Sequence, residues 1–154
     1  MTVFCRRAAE KLTRQEIAQF VVDGVYFEDT PTFDPPLDSA EARAPEWDTL
    51  VIRYAADRRP VVVFRRGALR GVEGDIEEEF VKPPLDPTMR RRLIEAEQTY
   101  TLDVDQEGLT DEAWQMCDQI ERFIAGQCDG LIWAPGDGIF DAKLENVAKA
   151  TAKS

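Results

Sequence analysis

Histidine is missing from all 154 residues. Its absence removes the commonest general base at neutral pH, Ser-His-Asp and Cys-His catalysis, and every imidazole-ligated metal site. Cysteine is scarce: Cys5, Cys117 and Cys128 make an odd count of three with no Cys-x-x-Cys spacing. Neither a disulfide framework nor a zinc knuckle is therefore expected, and all three read as buried free thiols. No stretch approaches the roughly 18–20 continuous apolar residues that a membrane span requires. Residues Met1-Thr2-Val3-Phe4-Cys5-Arg6-Arg7 lack the basic, apolar, small order of a signal peptide, so a cytoplasmic protein is expected.

Acid is what the chain has in excess. The formal charge of −11 is unevenly spread. Residues 53–92 carry ten basic and seven acidic side chains, whereas residues 100–141 carry ten carboxylates against Arg122 alone, a local charge of −9. A field of that sign repels nucleic acid and anionic membrane and accelerates encounter with a basic partner. Arg58, Arg59, Arg65, Arg66 and Arg70, with Arg90, Arg91 and Arg92, form a basic cluster. In a chain of pI about 4.5, without interleaved aromatics, these arginines read as partners of nearby acids rather than as a nucleic-acid surface.

The length suits one domain, 1–154, with a substantial core. Val3–Arg7 reads as a first strand. Thr13-Arg14-Gln15-Glu16 has the spacing of a capping box and starts a helix whose Ile17, Phe20 and Val21 face inward. Gly24 supplies its left-handed stop, and Val25-Tyr26-Phe27 reads as the next strand. Pro31, Pro35, Pro36 and Pro45 make residues 30–48 a long loop. Leu50–Tyr54 and Val61–Phe64 form a hairpin of β-branched strands. Residues 65–85 are charged and glycine-bearing, which predicts a loop or, over 65–82, an irregular edge strand. Asp86-Pro87 then opens a helix with Met89, Leu93 and Ala96 on one side. Tyr100, Leu102 and Val104 alternate with Thr101, Asp103 and Asp105 in a half-buried strand. Thr110 caps a longer helix with Ala113, Cys117, Ile120 and Ile124 at helical spacing. Leu131–Trp133 and Ile139–Phe140 flank a Pro-Gly-Asp-Gly turn, and 142–154 is left as a helix or tail.

Two β-α-β units thus flank a central hairpin. That order predicts an α+β fold: a mixed, largely antiparallel sheet with helices packed on one face, of ferredoxin-like or related build.

Three stretches invite a chemical role. Asp103-Val-Asp105-Gln-Glu107-Gly108 begins like a calcium-binding EF-hand loop, but position 12, where a bidentate acid is needed, is Trp114. Pro135-Gly136-Asp137-Gly138 has the glycines of a phosphate loop but runs into strand-like Ile139-Phe140 and lacks the phosphate-reaching lysine. It reads as a hairpin reversal with Asp137 at its tip, and Gly138→Val is expected to be costly if Gly138 has a positive φ. Asp103 and Asp105, joined by one of Glu77, Glu78 or Glu79, are the residues a carboxylate or metal-assisted enzyme acting on a phosphorylated or sugar substrate would use.

The ending Asp129-Gly130-Leu131-Ile132-Trp133 through Pro135-Gly136-Asp137-Gly138-Ile139-Phe140-Asp141 resembles the closing strand-turn-strand of small uncharacterised bacterial α+β domains. The small acidic build is similar to that of immunity proteins of bacterial toxin systems. The resemblance carries over no individual residue. Together with the acid block it implies a binding protein without catalysis or cofactor, docking on a basic protein such as a cognate toxin. Trp133 is the expected anchor, and Asp103, Asp105, Asp137 and Asp141 are expected to raise the association rate. The alternatives are the small enzyme above and a self-assembling structural subunit, which would expose a long apolar sheet edge or face.

Overall fold

The computed structural model describes residues 2–5, 12–67, 87–134, 138–141, 143 and 145–149. It is an α+β protein, as expected. Its elements run β1 (Thr2–Cys5), α1 (Arg14–Gly24), β2 (Thr32–Asp34), α2 (Ala40–Arg43), β3 (Thr49–Arg53), β4 (Val61–Gly67), α3 (Pro87–Ile94), β5 (Gln98–Asp103), α4 (Asp111–Cys128), β6 (Leu131–Ala134), β7 (Gly138–Phe140) and β8 (Asn146–Lys149). The chain forms two compact units. One comprises residues 1–9, 66–100 and 121–154, and the other comprises residues 10–65 and 101–120.

In the first unit the strand order is β5-β1-β6-β7-β8, of which β5 contributes Gln98–Tyr100 and continues into the second unit from Thr101. β6 pairs antiparallel with β1, through Val3↔Ile132, and β7 pairs antiparallel with β6, through Trp133↔Ile139. Leu131, Ile132 and Trp133 are all buried, which requires both faces of β6 to be covered. Phe4, Leu93, Ala96, Leu131, Trp133 and Ile139 form one apolar cluster with Met89 packed against it, so the inward side of α3 is the one its spacing predicts.

The Cys5–Cys128 disulfide also lies in this unit, joining the end of β1 to the end of α4, with Cα atoms 5.3 Å apart. This corrects the expectation of three free thiols; Cys117 alone remains free, and buried. The two partners are 123 residues apart, and no local spacing encodes such a pair.

The second unit has the order β2-β3-β4. The central hairpin forms as expected, with Leu50↔Val63 and Ile52↔Val61 in antiparallel register, and Leu50, Ile52, Val61 and Val63 buried. Ile17, Ala18 and Val21 of α1, with Ala113, Met116, Cys117 and Ile120 of α4, are buried in the same unit. Both helix starts follow the sequence signals. The Thr13 hydroxyl accepts the Glu16 N–H at 3.2 Å, and the Thr110 hydroxyl accepts the Ala113 N–H at 3.2 Å. Glu16 completes its box differently from the usual pattern, accepting from the Thr13 hydroxyl rather than from the Thr13 backbone.

Several expectations are corrected. Val25–Phe27 is not a strand, so the first β-α-β unit of a ferredoxin-like arrangement does not form. The next strand is β2, inside the proline-rich 30–48 segment, where Phe33 pairs with Ile52 and prolines at 31 and 35 bracket three residues on one side of β3. Residues 65–67 continue β4 instead of opening a loop, and residues 146–149, assigned to a helix or tail, form β8 against β7.

The left-handed helix stops are not glycines either. Val25 has φ 49° at the end of α1, and Asp129 has φ 49° after α4. There the Gly130 N–H reaches back to the Ala125 carbonyl at 2.9 Å, the six-residue closure of a Schellman motif.

The 131–140 hairpin does form, with Ala134 opposite Gly138; residues 135–137, Asp137 included, lie outside the described residues. Gly138 has φ 123°, a backbone region unsuited to a β-branched side chain. Gly138→Val is expected to destabilise by about 1–3 kcal/mol. A melting temperature equal to that of the parent would show that the hairpin tolerates another geometry there.

Candidate functional site

The residues singled out from the sequence divide between the two units. Asp103 and Asp105 belong to the second, and Trp133 and Asp141 to the first. Glu77, Glu78, Glu79, Arg70 and the Asp86 cap lie outside the described residues, as does Asp137.

Asp103 ends β5, and Asp105 opens the turn that follows, where its carbonyl accepts the Gly108 and Leu109 N–H groups at 3.1 and 3.0 Å. The β3–β4 connection brings two arginines to this turn. Arg59 Nη2 donates to Asp103 Oδ2 at 2.8 Å, and Arg58 Nη1 donates to the Gly108 carbonyl at 2.7 Å. The Arg59–Asp103 pair is solvated, its side chains 57% and 45% exposed. Such a pair contributes about 0–1 kcal/mol, so it orders the turn more than it stabilises the fold. Tyr54 is buried, and burial holds its phenol above the ordinary range; Arg58 opposes that shift, while Cys117, Asp105 and Asp57 reinforce it. It stays protonated throughout the neutral range.

The acids beyond this turn are less compensated. Glu107, Asp111 and Glu112 are exposed, and no ion pair engages them among the described residues. Asp111 and Glu112 occupy the first turn of α4, where the helix dipole favours negative charge. Glu121, counted from sequence in the same acid block, is only 2% exposed and belongs to the buried side of α4. No group of three or more Cys, Asp or Glu side chains among the described residues is arranged to hold a metal ion.

In the first unit Trp133 is 5% exposed and packed in the apolar cluster. Its indole is thus part of the core, not an exposed surface. Asp141 is committed to the backbone: its Oδ1 accepts the Lys143 and Glu145 N–H groups at 2.9 and 3.0 Å, bracing the chain between β7 and β8. Asp129, at the left-handed position, has its carbonyl 3.1 Å from Arg92 Nη2 and its carboxylate 4.0 Å from the same nitrogen.

Arg65 also leaves the expected basic cluster. It is buried over the Trp47 ring, its guanidinium carbon 5.3 Å from the ring centroid, and Nη1 donates to the Pro45 carbonyl at 2.8 Å. The Trp47 indole N–H in turn donates to the Leu12 carbonyl at 2.9 Å. These contacts fasten the end of the proline-rich segment. An arginine alternating with valines in Val61-Val-Val-Phe-Arg65 was the available signal that it shares their buried face.

Comparison of the chain with protein-family models, curated proteins and solved structures finds no match. No helix among the described residues is long and apolar enough to cross a membrane.

Proposed function

We propose that this chain is a non-catalytic acidic binding module, of the immunity or inhibitor kind, that docks on and neutralises a protein with a basic surface. The observation that carries the proposal is the group of exposed, unpaired carboxylates Glu107, Asp111 and Glu112 beside the ordered Asp103–Asp105 turn. Charges held on a fixed turn and a helix start act on a partner before contact. They raise the association rate more than they slow dissociation.

Affinity capture from the native host at low ionic strength, followed by binding kinetics with the purified partner, tests this. Asp103→Lys is expected to slow association about tenfold at low salt and to leave dissociation nearly unchanged. Failure to recover a protein partner, or association insensitive both to salt and to Asp103→Lys, would refute the proposed function.

A further inference from the structure

We infer that the Asp23–Asp29 segment is the contact point of the docking surface: an apolar knuckle at Val25, rimmed by carboxylates, that inserts into an apolar pocket bordered by Lys or Arg side chains on the partner protein. The inference rests on the binding role proposed above and names the part of the second unit that makes the contact.

Val25 is the one large apolar side chain left exposed among the described residues, at 78%. It also has left-handed backbone angles, φ 49° and ψ 54°, where its N–H closes α1 on the Val22 carbonyl at 3.3 Å. A β-branched residue is among the poorest choices for that conformation, and glycine the best. Folding therefore gains nothing from valine here, neither burial nor backbone ease. Strain of this kind persists where the surrounding structure imposes it, and it concentrates at contact sites.

The neighbouring rings pack on either side of the tip's backbone, against Gly24 and Tyr54. The Tyr26 ring lies against Gly24, where an added Cβ would collide with it. The Phe27 ring stacks on Tyr54, with centroids 5.4 Å apart and planes 26° apart. Both rings are half-buried, and only Val25 projects. An exposed aliphatic tip beside two half-buried aromatics offers apolar surface that a partner's pocket can cover, and a β-branched side chain has little rotamer freedom to lose on binding.

Charge identifies the occupant. Asp23, Glu28 and Asp29 are exposed, the segment contains no cation, and no ion pair engages any of the three among the described residues. Asp23 accepts only a neutral donor, Gln19 Nε2 at 2.8 Å. A second copy of this chain would bring like charges together around the tip, whereas a basic rim pairs with them.

The test places a photo-crosslinking benzoylphenylalanine at position 25, and separately at the exposed Glu95 of the other unit, in the native host. The adduct is identified by mass, and the partner is purified for binding measurements. The expected result is a heterologous adduct from position 25 alone. Val25→Gly is expected to weaken binding about tenfold or more while melting about 2–4 °C higher than the parent, as strain is released. Asp29→Lys is expected to weaken binding without altering the melting temperature.

A partner that binds Val25→Gly as tightly as the parent, yet associates more slowly with Asp103→Lys, overturns the knuckle and leaves the proposed function standing. An adduct with the mass of two copies of this chain overturns the assigned occupant. A Val25→Gly protein that melts lower than the parent overturns the strain argument and with it the inference. No adduct from either position, with no partner captured at low salt, refutes both.

Discussion

Reduction of the Cys5–Cys128 disulfide is expected to destabilise the chain by about 2–5 kcal/mol, lowering the melting temperature by roughly 10 °C. The bond spans 123 residues, and in the chain-entropy account a loop of that length restricts the unfolded ensemble by about 5 kcal/mol, the upper end of the range. The folded state adds a local reason. Cys5 and Cys128 are both buried, and the Glu97 N–H donates to the Cys5 carbonyl at 3.0 Å, so the cross-link sits within hydrogen-bonded structure. Melting with and without dithiothreitol measures the effect. A Cys5→Ala, Cys128→Ala variant is expected to melt at the lower temperature and to ignore the reductant. Thiol titration of the oxidised, denatured chain is expected to find Cys117 alone; three titratable thiols would show that the bond does not form. Because disulfides persist in oxidising surroundings, the same titration on protein taken directly from the host reports the redox state of its compartment.

Trp133→Ala is expected to destabilise by about 3–5 kcal/mol, the range for removing a large aromatic from a packed core. Trp133 is 5% exposed and contributes to a cluster with Phe4, Leu93, Ala96, Leu131 and Ile139. Truncation leaves a cavity that a strand paired on both sides, with β1 and with β7, cannot close by moving. Trp133→Phe keeps most of the apolar contact and is expected to cost less than half as much. Urea unfolding followed by circular dichroism gives both values. A Trp133→Ala chain that unfolds at the parent's urea concentration would remove Trp133 from the core. Any loss of partner binding by this variant therefore has to be corrected for its unfolded fraction before it is assigned to an interface.

The features that were legible in the sequence are those encoded within a few residues. Thr13 and Thr110 act as caps, the 50–63 hairpin pairs in register, Tyr100 and Leu102 alternate inward, and Met89 and Leu93 of α3 meet one apolar cluster with Ala96 just beyond the helix. Long-range features were not legible. The Cys5–Cys128 pairing depends on β1 meeting β6 across most of the chain, and no spacing rule reaches that far. Strand β2 was hidden by prolines that do exclude a strand paired on both sides but not one bonded on one side. Trp133 is the expected anchor of an interface, yet the unbroken run Leu131-Ile132-Trp133 is itself the pattern of a strand covered on both faces. Gly24 was assigned the left-handed position because glycine adopts it most easily, and the chain instead puts Val25 there. That one departure from local preference supports the knuckle. Of the expected docking residues, Asp103 and Asp105 lie on one turn, whereas Trp133 and Asp141 have structural roles in the other unit.

The interleaved order of the two units has a consequence during synthesis. The second unit is complete once Ile120 has been made, whereas β1, which precedes that unit in the chain, has to wait for β6 at Leu131 before it acquires that neighbour. While the residues between β1 and β6 are being made, the apolar Val3 and Phe4 lack their β6 neighbour, an aggregation hazard for a nascent chain. Closing the first unit is therefore a long-range event, and the chain's path through the cell depends on how well β1 is shielded until β6 leaves the ribosome.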